Sequence, residues 1–210
     1  MTIRRRTLLC LAMLLAAAAP RAVAQESSDL REERTMGSPT APVTMYIISD
    51  FECPYCGDFA RNTFPILKRE YVDTGKLKVV YVNMPLTRIH PNAEPAAEVA
   101  MCAARQHKFW QMHDLLFRYQ SKWAGLKEPG PFFLALGDSI GADHQELLTC
   151  LQTAATRALV KADYDGSVRS GARATPSFYI EGGLMSGDQP VSDFRTVIDS
   201  IYRARTSRAR

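Results

Sequence analysis

The chain has 210 residues, enough for one ordinary domain or for one domain carrying a sizeable insertion. Hydrophobic residues make up 46% and charged residues 23%, so a buried core is available and wholesale disorder is excluded. The formal charge of +4 is not a polyanion-binding signature: four of the 26 basic residues lie in the first 24 positions, which hold no acid, leaving 22 basic against 22 acidic residues. No nucleic-acid partner is expected.

Those first positions read as an export signal. Arg4, Arg5 and Arg6 precede an apolar run from Leu8 to Ala19 and a small-x-small step at Ala22-Val23-Ala24. The run is too short for the roughly 20 residues that span a bilayer. Residues 1–24 are therefore expected to be removed, Cys10 with them, and the mature chain is expected to work in the periplasm. Residues 25–42 read as a lead-in with little structure.

Val43 to Asp50 is β-branched and mostly apolar, the pattern of a strand buried on both faces. A helix is predicted from Pro54 to about Val72, with Pro54 in its first turn and Pro65 as a kink. Leu77 to Met84 forms a second strand, so the three elements make a βαβ unit with parallel strands. Residues 91–166 have helical texture throughout, including shorter helices near Phe132–Ile140 and Asp143–Leu159. Trp110, Phe117 and Trp123 sit at helical spacing and read as core. A hairpin over Ser177–Ile180 and Leu184–Ser186 follows, then a helix near Ser192–Ala204 with Phe194, Val197, Ile198 and Ile201 on one face. The order is βαβ, a helical block, then ββα: an α/β mixed sheet with an inserted all-helical domain.

Four cysteines remain once Cys10 is set aside, and an even count in an exported chain favours disulfides. Cys53 and Cys56 form a CxxC where the first strand meets the helix. Backbone N–H groups and the helix dipole there stabilise a thiolate, so Cys53 is expected to face solvent as the attacking thiol. Cys56, one turn inside, is the shielded resolver. A structural zinc half-site and a plain structural disulfide are the competing readings. Zinc needs two more ligands, and the four histidines offer no ligand spacing, so no metal and no cofactor are expected. Cys102 and Cys150 read as a structural disulfide of the helical block, with buried free thiols as the alternative. His90, after the second strand, reads as a structural histidine.

The stretch Ser49–Cys56, the segment His90-Pro91-Asn92-Ala93 and the segment Ala174–Tyr179 resemble exported thiol–disulfide oxidoreductases of the DsbA-like thioredoxin superfamily. The resemblance covers about Gly37 to Tyr202 and implies a thioredoxin fold, built from residues 43–90 and 167–205 and interrupted by the helical domain of 91–166. It also implies a cis bond at Thr175-Pro176, lying beside the CxxC, and substrate contacts at Thr175, Pro176, Pro54 and Tyr55. Unfolded or partly folded exported proteins with free thiols are the implied substrates, with a membrane redox partner for reoxidation. Tyr55 adds no charge beside Cys53 and points to a milder oxidant than a relative with His there. No long N-terminal helical stalk is present, so a monomer is expected. The expected function is disulfide exchange through Cys53–Cys56, as oxidase; a reductase or isomerase and a non-catalytic peptide-binding chaperone module are the alternatives. In this resemblance a buried acid stands six residues before the first cysteine. Here that position is Ile47, which leaves water or a neighbour such as Asp50 to take the proton from Cys56.

Overall fold

The computed structural model describes residues 29–208. The export signal read from residues 1–24 lies outside the described residues, as do Ala209 and Arg210.

One five-stranded mixed sheet carries the chain, in the order β1-β3-β2-β4-β5. Its strands are β1 (Thr35–Met36), β2 (Val43–Ser49), β3 (Leu77–Asn83), β4 (Ser177–Ile180) and β5 (Gly183–Ser186). β2 and β3 run parallel, and every other pairing is antiparallel. Central β2 alternates residues between two covered faces, which is why it reads as an almost unbroken apolar run. The fold is an α/β mixed sheet with an inserted helical block, as the element order predicts, and has the thioredoxin-like arrangement that the resemblance implies.

The lead-in is more structured than its composition suggests. Residues 29–33 form a helical turn, and β1 adds an antiparallel edge to β3. Two anchors explain it. Leu30 is buried in the core, and the buried Arg34 guanidinium donates to the carbonyl of Tyr81 and pairs with Asp163. Long-range burial outweighs the local preference of a polar, Pro-rich stretch.

Helix α1 covers the predicted span, but not as a regular helix. It runs through an α segment (Pro54–Asp58), a π segment (Phe59–Thr63), a second α segment (Phe64–Leu67) and a second π segment (Lys68–Val72). Pro65 has no N–H and its ring crowds the preceding turn, so the wider π turn before it absorbs the mismatch. The Phe64 N–H accordingly reaches back five residues to the carbonyl of Phe59.

Six helices lie between β3 and β4: α2 (Ala93–Ala104), α3 (Phe109–Arg118), α4 (Gln120–Trp123), α5 (Gly130–Ser139), α6 (His144–Gln152) and α7 (Arg157–Arg169). The predicted helix Asp143–Leu159 is in fact two. Asp143 caps α6 by accepting the Glu146 N–H at 2.8 Å, but the chain turns at Ala154, whose φ is +48°. Nothing local marks this break, since no Gly or Pro occurs between Asp143 and Leu159. Tertiary contacts supply it: Cys150 is bonded to Cys102 on α2, and Arg157 pairs with Glu98 one turn earlier on α2. α7 then continues past the expected end at 166 as far as Arg169.

α2 is the hub of this block. Its buried Ala96, Ala97, Ala100, Ala103 and Ala104 let other helices approach closely. Phe117 and Trp123 are core, and Trp110 packs against it half-buried. The final helix, α8 (Val191–Arg208), buries Phe194 and Ile198 completely, with Val197 and Ile201 at the margin of the core.

The Cys102–Cys150 bond closes a loop of 48 residues. Replacing both cysteines by Ala should lower stability by up to about 4 kcal/mol in the chain-entropy treatment, read by urea unfolding of the oxidised protein. A loss below about 1 kcal/mol would mean that the helical block holds itself together without the cross-link.

Candidate active site

The structure brings together Cys53, Pro54, Tyr55 and Cys56 with Thr175 and Pro176, residues more than a hundred positions apart. β2 ends at Ser49, and a turn closed by the Cys53 N–H on the carbonyl of Asp50 redirects the chain into α1. Cys53 is the N-cap in an extended conformation, and Pro54 opens the helix. On the other side, β4 begins directly after a cis Thr175-Pro176 bond. Both cysteines are free thiols, and the Cys53 thiol donates to the carbonyl of Thr175 at 3.4 Å.

Cys53 does not face solvent as expected. It is 4% exposed against 0% for Cys56, because the Thr175-Pro176 segment closes over it. Solvent instead meets Pro54 and Tyr55, the latter 63% exposed. The asymmetry between the two thiols therefore lies in electrostatics and not in exposure. The Cys53 thiol is lowered from its ordinary value to about 6, first by a hydrogen bond from the Cys56 thiol. The backbone N–H groups of Cys56 and Tyr55 add to this. Cys56 goes the other way: burial pushes its thiol well above the ordinary value, and its contact with Cys53 reinforces the rise.

Two charged side chains and two amides hold the turn in shape. Asp50, 1% exposed, accepts the backbone N–H groups of Glu52 and Leu86 and meets Nδ1 of His90, each at 2.8 Å. Glu52 accepts the Asn92 N–H at 2.6 Å, and its carboxyl is pushed up by burial. The Asn92 amide donates onward to the carbonyls of Ala124 and Leu126. Gln120, on α4, donates to the carbonyls of Phe51 and Cys53 at 2.7 and 2.8 Å. Gly57 leaves room for it, since a Cβ there would lie 2.4 Å from Oε1 of Gln120.

The residue signals had pointed to Asp50 as a neighbour for Cys56. Its backbone does serve, donating to the Cys56 sulfur at 3.4 Å, but its carboxylate is engaged by Leu86, His90 and Glu52. Gln120 was not singled out from sequence, and Asn92 entered only as part of the segment His90-Pro91-Asn92-Ala93, with no role given to it. A lone amide in a helical block carries no signal until the fold shows which carbonyls lie in front of it.

Among the described residues no group of His, Cys, Asp and Glu is arranged to hold a metal, and no helix is long and apolar enough to cross a membrane.

A thioredoxin family model matches residues 29–200. A Na(+)/H(+) antiporter NhaA 1 of Salinispora arenicola is 30% identical over 87% of the chain, yet the chain spans only about a quarter of that protein's length, 26%. A probable disulfide bond formation protein D of Bacillus anthracis is 26% identical over 74% of the chain and 73% of its own length. Among solved structures, α-DsbA1 of Wolbachia pipientis superposes with a TM-score of 0.75 at 21% identity, covering 84% of this chain and 94% of that one. BdbD of Bacillus subtilis superposes at 0.73 with 23% identity, over 81% and 92% of the two chains. These likenesses are likenesses of fold.

Two measurements check this geometry. In the reduced protein, alkylation of Cys53 should titrate with a midpoint of about 6 while Cys56 stays unmodified through that range, as read by mass spectrometry of labelled peptides. Equal labelling of both thiols in mild acid would contradict the asymmetry. Gln120→Ala strands the buried carbonyls of Phe51 and Cys53 and should cost about 1–3 kcal/mol in urea unfolding, with a faster-opening turn in hydrogen exchange. An unchanged exchange rate at Cys53 and Tyr55 would show that the clamp is idle.

Proposed function

The chain belongs to the thioredoxin family, and from that premise we propose that it is a thiol–disulfide oxidoreductase that oxidises the thiols of other proteins through Cys53 and Cys56. The observation that carries this reading is the opposed displacement of the two thiols, Cys53 lowered to about 6 and Cys56 raised. A structural disulfide needs no such difference, and a peptide-holding module needs no ionised sulfur.

The exchange runs in two displacements. With Cys53 and Cys56 joined, a substrate thiolate attacks the Cys53 sulfur, a substrate–Cys53 bond forms, and Cys56 leaves with the electron pair. A second substrate thiolate then attacks the substrate sulfur of that mixed disulfide and releases Cys53 as a thiolate. The product is an oxidised substrate and a reduced protein. Cys53 is a good leaving group because its anion is stabilised.

Linkage supports the oxidising direction. Cys53 ionises only in the reduced protein, and its lowered value means that ionisation stabilises the folded reduced form. That contribution is fully present above the ordinary thiol value of 9.0 and is lost as pH falls through about 6. A stabilised reduced form makes the disulfide form the oxidant, so oxidation is favoured near neutrality and weakens in acid.

An extended substrate segment would lie across exposed Pro54 and Tyr55 and beside Thr175 and Pro176. Residues 43–90 and 167–205 would supply this thioredoxin-like part, and residues 91–166 the helical cover. Arg4–Arg6 and the apolar run after them support export to the periplasm, where proteins with free thiols are the substrates. Reoxidation falls to a membrane redox partner, with this chain acting as a monomer.

A turnover assay tests the reading. The oxidised protein, in substoichiometric amount with an added oxidant, should speed recovery of a reduced, unfolded multi-cysteine protein. Cys56→Ser should accumulate mixed disulfides with it through Cys53, and Cys53→Ser should accumulate none. Equal accumulation in both variants, or no acceleration by the wild type, would overturn the assignment.

A further inference from the structure

Tyr81 is a buried polar group that the exchange described so far does not use. It lies on β3 directly beside Ile47 of β2, and Ser49 follows two residues on. Strand geometry therefore raises Ile47, Ser49 and Tyr81 from one face of the sheet. The Tyr81 ring is wholly enclosed, stacked on Phe51 at 5.1 Å and edge-on to His113 at 5.2 Å, with Phe109 at 5.3 Å. Its hydroxyl is buried with no hydrogen-bond partner. Phenylalanine would fill this aromatic box without stranding a hydroxyl, so packing alone does not account for tyrosine here.

What the hydroxyl faces is informative. The Ser49 side chain neighbours both the Tyr81 hydroxyl and the Cys56 sulfur. Cys56 itself is fully buried beneath the helix start, where a bare thiolate has no water to solvate it. The Asp50 N–H, at 3.4 Å, is the one backbone donor that reaches that sulfur among the contacts described above.

We propose that the Tyr81 hydroxyl, acting through the hydroxyl of Ser49, steadies the Cys56 sulfur as an anion during disulfide exchange: Ser49 donates to the sulfur and Tyr81 donates to Ser49. Tyr81 is on this view a positioning residue, and Ser49 is the group that touches the reacting atom. The inference rests on the exchange reading above and deepens it. In the forward step the breaking Cys53–Cys56 bond leaves its electron pair on Cys56, and the two hydroxyls turn towards it. In the reverse step the Cys56 thiol gives up its proton, its sulfur attacks Cys53, and the departing thiolate takes a proton to leave as a thiol.

Other groups around this pair do not replace it. Arg34, before β1, donates to the Tyr81 backbone carbonyl and pairs with Asp163. The Asp50 carboxylate is engaged by Glu52, Leu86 and His90, and Nδ1 of His113 on α3 meets Asp114. Cys53 approaches Cys56 as its redox partner. Burial holds the Tyr81 phenol well above its ordinary range, which keeps it a neutral donor.

The test uses the full chain with Cys53 loaded as a mixed disulfide with glutathione, and measures glutathione release by Cys56 across pH. Tyr81→Phe and Ser49→Ala should each slow release by about ten-fold at neutral pH, the size of one hydrogen bond to a charged sulfur, and move the profile to higher pH. Ser49→Thr should restore release. The alkylation rate of Cys53 should stay as in the wild type, a readout that general loosening of the site would move. Release in both Tyr81→Phe and Ser49→Ala within about two-fold of wild type would overturn the inference while leaving the exchange reading intact. A wild-type chain that forms no adduct on Cys53 would overturn the exchange reading, and this inference with it. Should Tyr81→Phe fail to fold, Ser49→Ala alone decides.

Discussion

The site depends on a turn that buries charge. Between the end of β2 and the start of α1 the chain must reverse inside the protein, where each unpartnered N–H or carbonyl costs free energy comparable to a lost hydrogen bond. Asp50 and Glu52 answer the donors, accepting backbone N–H groups from their own turn, from Leu86 and from Asn92. Gln120 answers the acceptors, covering the carbonyls of Phe51 and Cys53. The result ties three otherwise separate parts, the CxxC turn, the loop after β3 and the helical block, to one position of Cys53. Carboxylates buried this deeply are tolerable because backbone N–H groups, and for Asp50 also His90, partner them.

With that turn in place, two cysteines of identical chemistry become different reagents. Cys53 sits where helix N–H groups converge and where the Cys56 thiol adds a donor, so its anion is favoured. Cys56 is one turn further in, with burial dominating, so its anion is disfavoured. Accessibility does not separate them, since both are almost completely covered. The distinction is one of local dipoles and hydrogen bonds, arranged by a helix start on one side and by the strand entry at Pro176 on the other.

The sheet supports this by presenting two differently covered faces. One side of β2 and β3 carries Ile47, Tyr81 and, through β4, Phe178, packed against Phe59 and Phe194 from α1 and α8. The other carries Ile48 and Val82 with Met84 and Ala172, alongside Val168 of α7. The helical block leans on the first side through Phe109, against Tyr81, and through His113 and Phe117, against Phe51 next to the CxxC turn. Packing in the inserted helices is therefore coupled directly to the position of the redox pair.

Element types were legible in the chain because they depend on local patterns. The apolar run of β2, the strand pattern of the β4–β5 hairpin and the one-face spacing of α8 all carry their own signals. The CxxC likewise announced itself, since a strand-to-helix junction is visible in sequence. What tertiary structure decided were the properties set by residues far apart. The break at Ala154 comes from a cross-link and an ion pair to α2, and the order in residues 29–36 comes from burial of Leu30 and Arg34. Enclosure of Cys53 comes from Thr175, and its clamp comes from Gln120. None of these has a local signature, because burial and hydrogen-bond partners are not properties of a residue but of the chain that folds around it.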